Sequence, residues 1–343
     1  MSDEASRPPS MVDVARVAGV ALVTVSRVLN GSDAVRPETR QRVEAAVAEL
    51  NYRRNDLART LKRGRSTTLG VVIAGAELYE LSKILLGVET TARAAGYWVS
   101  MMSSQSGKLG QLQEAVRRLS EQLVEGIVVI ADRPTALLDL QVLEAGMPVT
   151  VVMSGDVDNP SMGSVEVDQV LGARLATRHL IELGHRAIAH ISGPAEVFDA
   201  RARISGWQRE VDARPDVRGQ LAEGDFEARS GYRITKDLWS REDRPTAIFA
   251  ANDRMAMGVF AALAELGVSV PAQVSVVGFD DMAGAEFLVP SLTTVRQDFR
   301  ALGERGTGLL FEIMRGERPA HHLIEPTLVV RSSSGVVPLP APV

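Results

Sequence analysis

The residues best suited to recognising another molecule lie in the short segment LVTVSRVLN, residues 22–30. At helical spacing, Val25, Val28 and Leu29 share one side of this segment, so the side chains of Leu22, Val23, Ser26 and Arg27 point outward. An outward arginine can donate two hydrogen bonds to a guanine, and branched apolar groups can contact thymine methyls. Phosphate oxygens suit the short polar side chains, which are Thr24, Ser26 and Asn30. The pattern favours a helix in a DNA major groove, and leaves open a three-helix module whose exposed apolar pair meets a protein partner.

Charge is unevenly distributed along the chain. The net charge is −5 over 343 residues, yet residues 11–65 contain eleven Arg and Lys against six Asp and Glu. A small basic segment joined to a large acidic body is expected when one end of a protein meets a polyanion. Charge alone equally allows a solvated basic face without a partner.

The elements that position the outward face are short helices. Val14, Val17 and Ala18 share a face before Gly19, a second helix ends at Asn30-Gly31, and Pro37 suits the first turn of a third. The third helix carries an apolar stripe of Val43, Val47 and Leu50. Two helices joined at a glycine turn, with a third closing the core, predict a helix-turn-helix unit.

From Thr68 onward, continuous apolar strands alternate with amphipathic helices. The predicted strands are 69–74, 98–102, 127–131 and 149–153, followed by a second set at 187–191, 247–250 and 274–279. The predicted helices are 111–122, 170–183, 255–266 and 302–314. Buried strands separated by helices imply parallel sheets covered on both faces. Two such sets imply two doubly wound subdomains with a ligand cleft at the carboxyl ends of their strands.

The sequence carries no recognisable catalytic or cofactor motif. It contains no cysteine, and GxSxG, GxxxxGK[ST], HExxH and GxGxxG are all absent. His179, His185 and His190 form a possible metal trio, but satisfied structural histidines are the stronger interpretation, and His321-His322 is expected in a surface loop. We therefore expect no catalytic residues, no metal and no cofactor. With no signal peptide and no long apolar run, we expect a cytoplasmic, nucleoid-associated protein that does not contact a membrane.

The stretch VDVARVAGVALVTVSRVLNG, followed by RPETRQRVEAAVAELNYRRNDLARTLKRGRS, resembles the DNA-binding headpiece of LacI-type (lactose-repressor) bacterial transcription regulators. One departure is Ala21, where the family usually has a Ser or Thr that caps the recognition helix. The resemblance implies a hinge helix at Asn55–Lys62, which folds when two copies meet on DNA. It makes Leu61 a wedge in the minor groove, with a plain linker helix as the alternative. The further DNA contacts it implies are Tyr52, Asn55 and Ala58.

The body also resembles this family, in HLIELGHRAIAHISGP, ARARISGWQRE, PTAIFAANDRMAMGVFAAL and VSVVGFDDM. The implied fold is an N-terminal all-α helix-turn-helix headpiece plus hinge helix, followed by an α/β periplasmic-binding-protein-like domain of two doubly wound parallel-sheet subdomains. The implied boundaries are a disordered 1–10, a headpiece at 11–54, a hinge at 55–65, an effector-binding and dimerisation domain at 66–335 and a tail at 336–343. Within that domain the subdomains comprise about 66–165 with 299–326, and 166–298 with 327–335.

By position, the resemblance implies an effector site built on Arg203, Asn252 and Asp280. Donor-only arginine, acceptor-only aspartate and an amide that does both can satisfy the vicinal hydroxyls of a polyol. Phe226 stands where sugar-binding members place a stacking ring, and Asp199 is a further candidate. The candidate wall residues are Ala74, Leu78, Ile84 and Met153, and Met153 replaces an acidic residue of some sugar-responsive members. The alternatives are an Arg203–Asp199 ion pair, helix caps at Asn252 and Asp280, and a core position for Phe226.

Together these features predict a homodimeric DNA-binding regulator, most simply a repressor, whose operator affinity responds to a sugar-like small molecule. Two rivals share the body fold. One is a sugar-binding protein that does not bind DNA, for which the basic first segment has no explanation. The other is a cytosolic sugar-modifying enzyme, which the missing catalytic motifs disfavour.

Overall fold

The chain folds into two compact units, Met1–Ser66 and Thr67–Val343. The computed structural model describes residues 9–52, 66–74, 81–104, 110–131, 146–152 and 161–337. The predicted hinge helix at 55–62 lies outside the described residues.

Within its described residues, 9–52 and 66, the first unit contains three helices: α1 (Met11–Ala18), α2 (Leu22–Leu29) and α3 (Pro37–Glu49). Ser10 and Asp13 form a reciprocal capping box at the start of α1, and Gly19, with φ of 62°, ends that helix in the left-handed conformation. Pro37 opens α3, where its missing N–H is not needed. The predicted helix-turn-helix arrangement is confirmed.

The core of the first unit differs from the prediction at one position. Val14, Val25 and Val43 are fully buried in it, together with Ala15, Ala18, Val28 and Ala46. Val17, which was expected on the inner face of α1, is instead 42% exposed. Residues 14, 15 and 18 turn toward the core, and Val17 lies to one side of them because successive residues rotate by about 100°.

The second unit contains two six-stranded sheets of the same design. The first sheet has the order β11-β5-β4-β3-β1-β2 and the second β12-β10-β9-β8-β6-β7. Strands of the first sheet are Thr68–Ala74, Trp98–Ser104, Ile127–Ala131, Val149–Val152 and Gly163–Val167 (β1–β5), with His321–Ile324 as β11. Those of the second are Ala187–Ser192, Arg218–Glu223, Ala247–Ala250, Ser275–Asp280 and Thr293–Arg296 (β6–β10), with Thr327–Val329 as β12.

All pairings are parallel except that of β12 with β10, which is antiparallel. The expected fold class is therefore confirmed, with one reversed strand at an edge. A second correction concerns His321 and His322, which belong to edge strand β11 rather than to a surface loop. Leu323 and Ile324 continue that strand against Glu166 and Val167 of β5.

Helices cover both faces of each sheet. Those on the first sheet are α4 (Leu81–Ala94), α5 (Gln111–Glu121) and α10 (Phe299–Met314). Those on the second are α6 (Gln169–Glu182), α7 (Phe198–Asp212), α8 (Ala228–Trp239) and α9 (Asp253–Glu265). The chain crosses between the sheets three times: from β5 to α6, from β10 to α10, and from β11 to β12. These crossovers tie the two sheets together beside the carboxyl ends of their strands.

Candidate functional site

The outer face of α2 has the exposure expected of a recognition surface. Leu22 and Val23 are 46% and 57% exposed, and Arg27 is also exposed. Within the described residues, the Arg27 side chain has no hydrogen bond or ion pair. Ala21 stands at the helix start without a side-chain cap, as its departure from the family pattern implied. The face therefore presents two apolar groups and an unpaired guanidinium.

The polar neighbours of this face are partly engaged with one another. The Asn30 amide donates to the Ser26 hydroxyl across 3.3 Å, while Thr24 and Ser26 are half-buried. Tyr52 follows α3, is also half-buried and packs against the core of the unit. Exposed Arg36 and Arg42 add positive charge to the same unit. Five predicted site residues, Asn55, Ala58, Leu61, Leu78 and Met153, lie outside the described residues.

In the second unit, Arg203 lies at the centre of a buried polar cluster and is 3% exposed. Its Nε donates to Gln169 Oε1 across 2.9 Å, and its Nη1 donates to the carbonyl of Ala251 across 2.5 Å. Nη2 lies 3.3 Å from Asp199 Oδ2 and 3.6 Å from Asp280 Oδ1. The structure therefore brings Arg203, Asp199 and Asp280 together. Because Asp199 remains partly exposed, the cluster has an outlet to solvent.

Asn252 caps a helix beside this cluster. Its Oδ1 accepts from the Met255 N–H at the start of α9, so it is the helix cap that the sequence left open. Its Nδ2 donates to the carbonyl of Phe226 across 3.0 Å. Phe226 has φ of 67°, and a Cβ on Gly193 would come within 2.1 Å of its ring. Asn252 thus fixes the Phe226 backbone, and Gly193 leaves room for the Phe226 ring, whose centroid lies 6.0 Å from the Arg203 guanidinium carbon.

A third carboxyl group, Asp253, supports the loop that follows Asp280 at the end of β9. It accepts from the Thr294 hydroxyl across 2.6 Å and from the Met282 N–H across 2.8 Å. Burial, reinforced by the nearby charge of Asp280, raises the pKa of Asp253 to about 8. At neutral pH this group is therefore mostly protonated. Asp280 itself has φ of 103°, and Asp253 binds the chain two residues further on, at the Met282 N–H.

The apolar wall includes one residue that the sequence did not indicate. Phe198, the first residue of α7, packs across the subdomain boundary against a cluster that contains Ala74 at the end of β1. Ile84, which was expected to line the cleft, is only 2% exposed and packs in the core between α4, the first sheet and α10. Ile84 is thus a core residue because α4 turns it toward Leu302 and Val88 rather than toward the strand ends.

A cavity of about 420 Å³ lies next to the polar cluster. It is formed where the β5 crossover meets one side of α7, and its lining comprises Glu166, Val167, Asp168, Gln169, Val170, Phe198, Arg201, Ala202, Ser205 and Leu323. Gln169 is shared between this cavity and the Arg203 cluster. The cavity is therefore adjacent to the predicted effector residues without being lined by Arg203 or Asp280.

The sequence interpretation missed Gln169 and Gln297, which complete the polar cluster. Gln169 Nε2 donates to Gln297 Oε1, and Gln297 Nε2 donates to Asp280 Oδ1, both across 2.7 Å. Their positions in the sequence could have indicated them, because each is a polar residue one or two positions beyond a buried strand of a parallel sheet. Such positions lie at the carboxyl edge where ligands bind.

The histidines have structural partners. His185 lies within hydrogen-bond distance of Thr246, Ser275 and the Gly335 carbonyl, and His179 of Ser334. His190 stacks on Phe249, and burial lowers its pKa to about 4. The described ranges contain no group of three or more acidic or histidine side chains placed to hold a metal ion. Nor does any helix in those ranges have the length and apolarity needed to cross a membrane.

Two family models match the chain. Residues 10–55 match the model of bacterial regulatory proteins of the lacI family, and residues 177–334 match a periplasmic binding protein-like domain. The first match covers the three-helix unit. The second covers most of the subdomain that contains Arg203 and Asp280.

Two relatives and one solved structure match the chain over nearly its whole length. The lactose operon repressor of Escherichia coli K12 is 33% identical over 97% of this chain and 92% of its own length. The HTH-type transcriptional repressor PurR of Pectobacterium atrosepticum is 34% identical over 94% of this chain and 95% of its own. A crystal structure of the lac repressor dimer bound to operator and the anti-inducer ONPF has a TM-score of 0.85 and 32% identity, and covers 96% of this chain and 100% of that one.

Proposed function

Since the chain belongs to the lacI family of bacterial regulatory proteins, we propose that it is a transcriptional repressor controlled by a small-molecule effector. It binds operator DNA through the first unit, as a homodimer, and the effector binds among the strand ends of the second unit. The observation that carries this proposal is the outer face of α2, where Leu22, Val23 and Arg27 are exposed while the opposite face is buried.

Direct base reading is assigned to Leu22, Val23 and Arg27. In a major groove, the Arg27 guanidinium can donate to both O6 and N7 of one guanine, and the apolar pair can contact thymine methyls. Phosphate contacts are assigned to Thr24, Ser26, Asn30 and Tyr52, which position the unit without reading sequence. The segment 55–65 is proposed as the hinge, with Asn55, Ala58 and Leu61 toward the minor groove.

Exposed apolar side chains of the second unit can form the interface of a homodimer. Trp98, Met101 and Leu221 lie exposed on edge strands, and Phe287 and Val289 are exposed in the loop before β10. Edge strands and large exposed apolar groups are typical of surfaces that pack against another chain. A two-fold dimer places two recognition helices in successive major grooves, and therefore predicts an operator with two inverted half-sites.

The effector site is proposed to consist of Arg203, Asp199, Asp280 and the Phe226 ring, with Ala74 on the opposite wall and Phe198 packing toward that wall from α7. A ligand with vicinal hydroxyls fits this set, because it can accept from arginine and donate to both carboxylates. Asn252 contributes by holding Phe226 in place. Because Phe198 packs toward the cluster that contains Ala74 across the subdomain boundary, the proposed ligand is a monosaccharide or a similar compact polyol rather than a disaccharide.

We further propose that the chain has no catalytic activity of its own and acts in the cytoplasm, where chromosomal DNA is found. The support is the match to repressors over nearly the full length and a polar cluster in which each charged group is held by a neighbour. The domain organisation proposed for this role is the one predicted from sequence, with residues 66–335 as the effector-binding and dimerisation domain.

The test is to select bound duplexes from a random-sequence DNA pool with the full-length protein. The expected result is one enriched motif with two-fold symmetry, whose retardation in a gel changes with glucose, galactose or a related polyol. The matched control is the double variant Leu22→Ala/Val23→Ala, which should fold but lose the enrichment. The proposal is wrong if no duplex is enriched at low salt, and turnover of a sugar would support the enzyme alternative.

A further inference from the structure

Three hydrogen bonds and one ion pair form a closed ring that includes the two charged groups Arg203 and Asp280 of the proposed effector site. Arg203 Nε donates to Gln169 Oε1 across 2.9 Å, Gln169 Nε2 donates to Gln297 Oε1 across 2.7 Å, and Gln297 Nε2 donates to Asp280 Oδ1 across 2.7 Å. The Asp280 carboxylate lies 3.6 Å from Arg203 Nη2 and closes the ring. All four side chains are buried.

The chemistry of the two ends fixes the direction of this ring. A guanidinium can only donate and an ionised carboxylate can only accept, so each glutamine must turn its oxygen toward Arg203 and its nitrogen toward Asp280. The two amides therefore form an uninterrupted chain of donors from the cation to the anion. Hydrogen bonds in such a chain polarise one another, and the charged ends strengthen them.

The two glutamines lie on different connections between the subdomains. Gln169 follows β5 of the first sheet and begins α6 of the second subdomain. Gln297 follows β10 of the second sheet and precedes α10, which packs on the first sheet. The bond between Gln169 and Gln297 is therefore a bond between two crossovers. A rotation of one subdomain against the other that turns the two crossovers apart would strain this bond.

We propose that Gln169 and Gln297 are positioning residues that couple effector binding to the arrangement of the two subdomains. This inference rests on the proposed function. A ligand that hydrogen-bonds to Arg203 and Asp280 competes for the same donor and acceptor groups that hold the glutamines, and so changes the stability of the crossover bond. Because the ring closes in the arrangement seen here, the ring stabilises that arrangement over others.

The test measures operator affinity, with the selected operator, for wild type, Gln169→Leu, Gln297→Leu and the double variant. Either single change removes the same bond, so each should shift the operator Kd in the same direction, by about threefold to tenfold. The double variant should shift it no further than the larger single change. Non-additivity of this kind marks two residues that act through one bond, and independent structural damage at two sites does not produce it.

A matched control is Thr177→Val on α6. Thr177 is fully buried, and its hydroxyl donates to Ala173 of the same helix across 2.8 Å, so the change removes a buried hydrogen bond without touching a crossover. It should leave the operator Kd unchanged. A second readout is amide hydrogen exchange, in which Gln169→Leu should speed exchange near residue 298 and Gln297→Leu near residue 169. Folding of each variant is checked by its melting curve, and Gln297→Leu alone decides the exchange test if Gln169→Leu does not fold.

The outcomes separate this inference from the proposed function. If wild-type protein enriches no operator, the proposed function fails. If wild type binds an operator and the single changes either leave its Kd unaltered or add in the double variant, the coupling role of the glutamines is wrong while the repressor remains. Where glucose or galactose alters wild-type binding, the same variants should reduce that ligand effect at least threefold.

Discussion

Replacing Arg27 by alanine should separate base recognition from the folding of the first unit. The Arg27 side chain is exposed and has no partner among the described residues. An exposed side chain without a partner contributes little, so we expect the free energy of unfolding to change by less than about 0.5 kcal/mol. A bidentate contact to guanine contributes about 1–3 kcal/mol of discrimination. The variant should therefore fold like wild type and lose about fivefold to 150-fold in preference at one base pair of each half-site.

The assay for Arg27→Ala is fluorescence anisotropy with a set of operators, each changed at one base pair. Arg16→Ala is the matched control, because Arg16 carries the same charge in the same unit but pairs with Asp13 across 2.7 Å on α1. Arg16→Ala should weaken the binding of all duplexes by the same factor, whereas Arg27→Ala should reduce the base preference at one operator position. If Arg27→Ala binds with an unaltered preference at every position, the base-reading role of α2 is refuted.

Three further predictions concern the salt, effector and pH responses. Because the first unit is rich in arginine, log K for the operator should fall with log salt by about 0.9 per phosphate contact, and a flat response in anisotropy titrations would contradict phosphate binding. Arg203→Ala removes a buried cation beside Asp280, so it should lower the free energy of unfolding by about 3 kcal/mol. The variant should remain a folded, DNA-binding dimer but lose the ligand response. If its gel retardation still depends on ligand as that of wild type does, the effector binds elsewhere. Since the pKa of Asp253 is raised to about 8, this group takes up a proton on folding, and its contribution to stability is lost as pH rises from about 4 through 8. The Tm of Asp253→Asn should therefore fall less over that range than the Tm of wild type. Parallel curves of Tm against pH for the two proteins would disprove the raised pKa.

Local patterns were sufficient to predict the three described helices of the first unit and seven of the twelve described strands of the second. The glycine turn at Gly19, the proline at the start of α3 and the apolar runs of β3 and β8 each depend on residues within a few positions of one another. The exposed position of Leu22 and Val23 followed from helical spacing alone. Where a feature is determined within one turn or one strand, the sequence displays it directly.

Features that depend on packing between distant segments were missed or misplaced. Ile84 was expected in the cleft, but its burial depends on α10, more than two hundred residues away. Strand β11 begins at His321 because the short segment after α10 pairs with β5, and its own residues give little strand signal. Gln169 and Gln297 become partners only when two crossovers meet, and nothing in the spacing of the two residues indicates this.

Metabolite affinity measured with and without operator DNA tests the central claim most directly. If a small molecule at Arg203 and Asp280 governs DNA binding by the first unit, operator must change the Kd of the ligand by the same factor by which the ligand changes the Kd of the operator. Calorimetry with the full-length protein, the selected operator and the active sugar should give equal factors, different from one. A sugar Kd that is identical with and without bound operator would contradict the account.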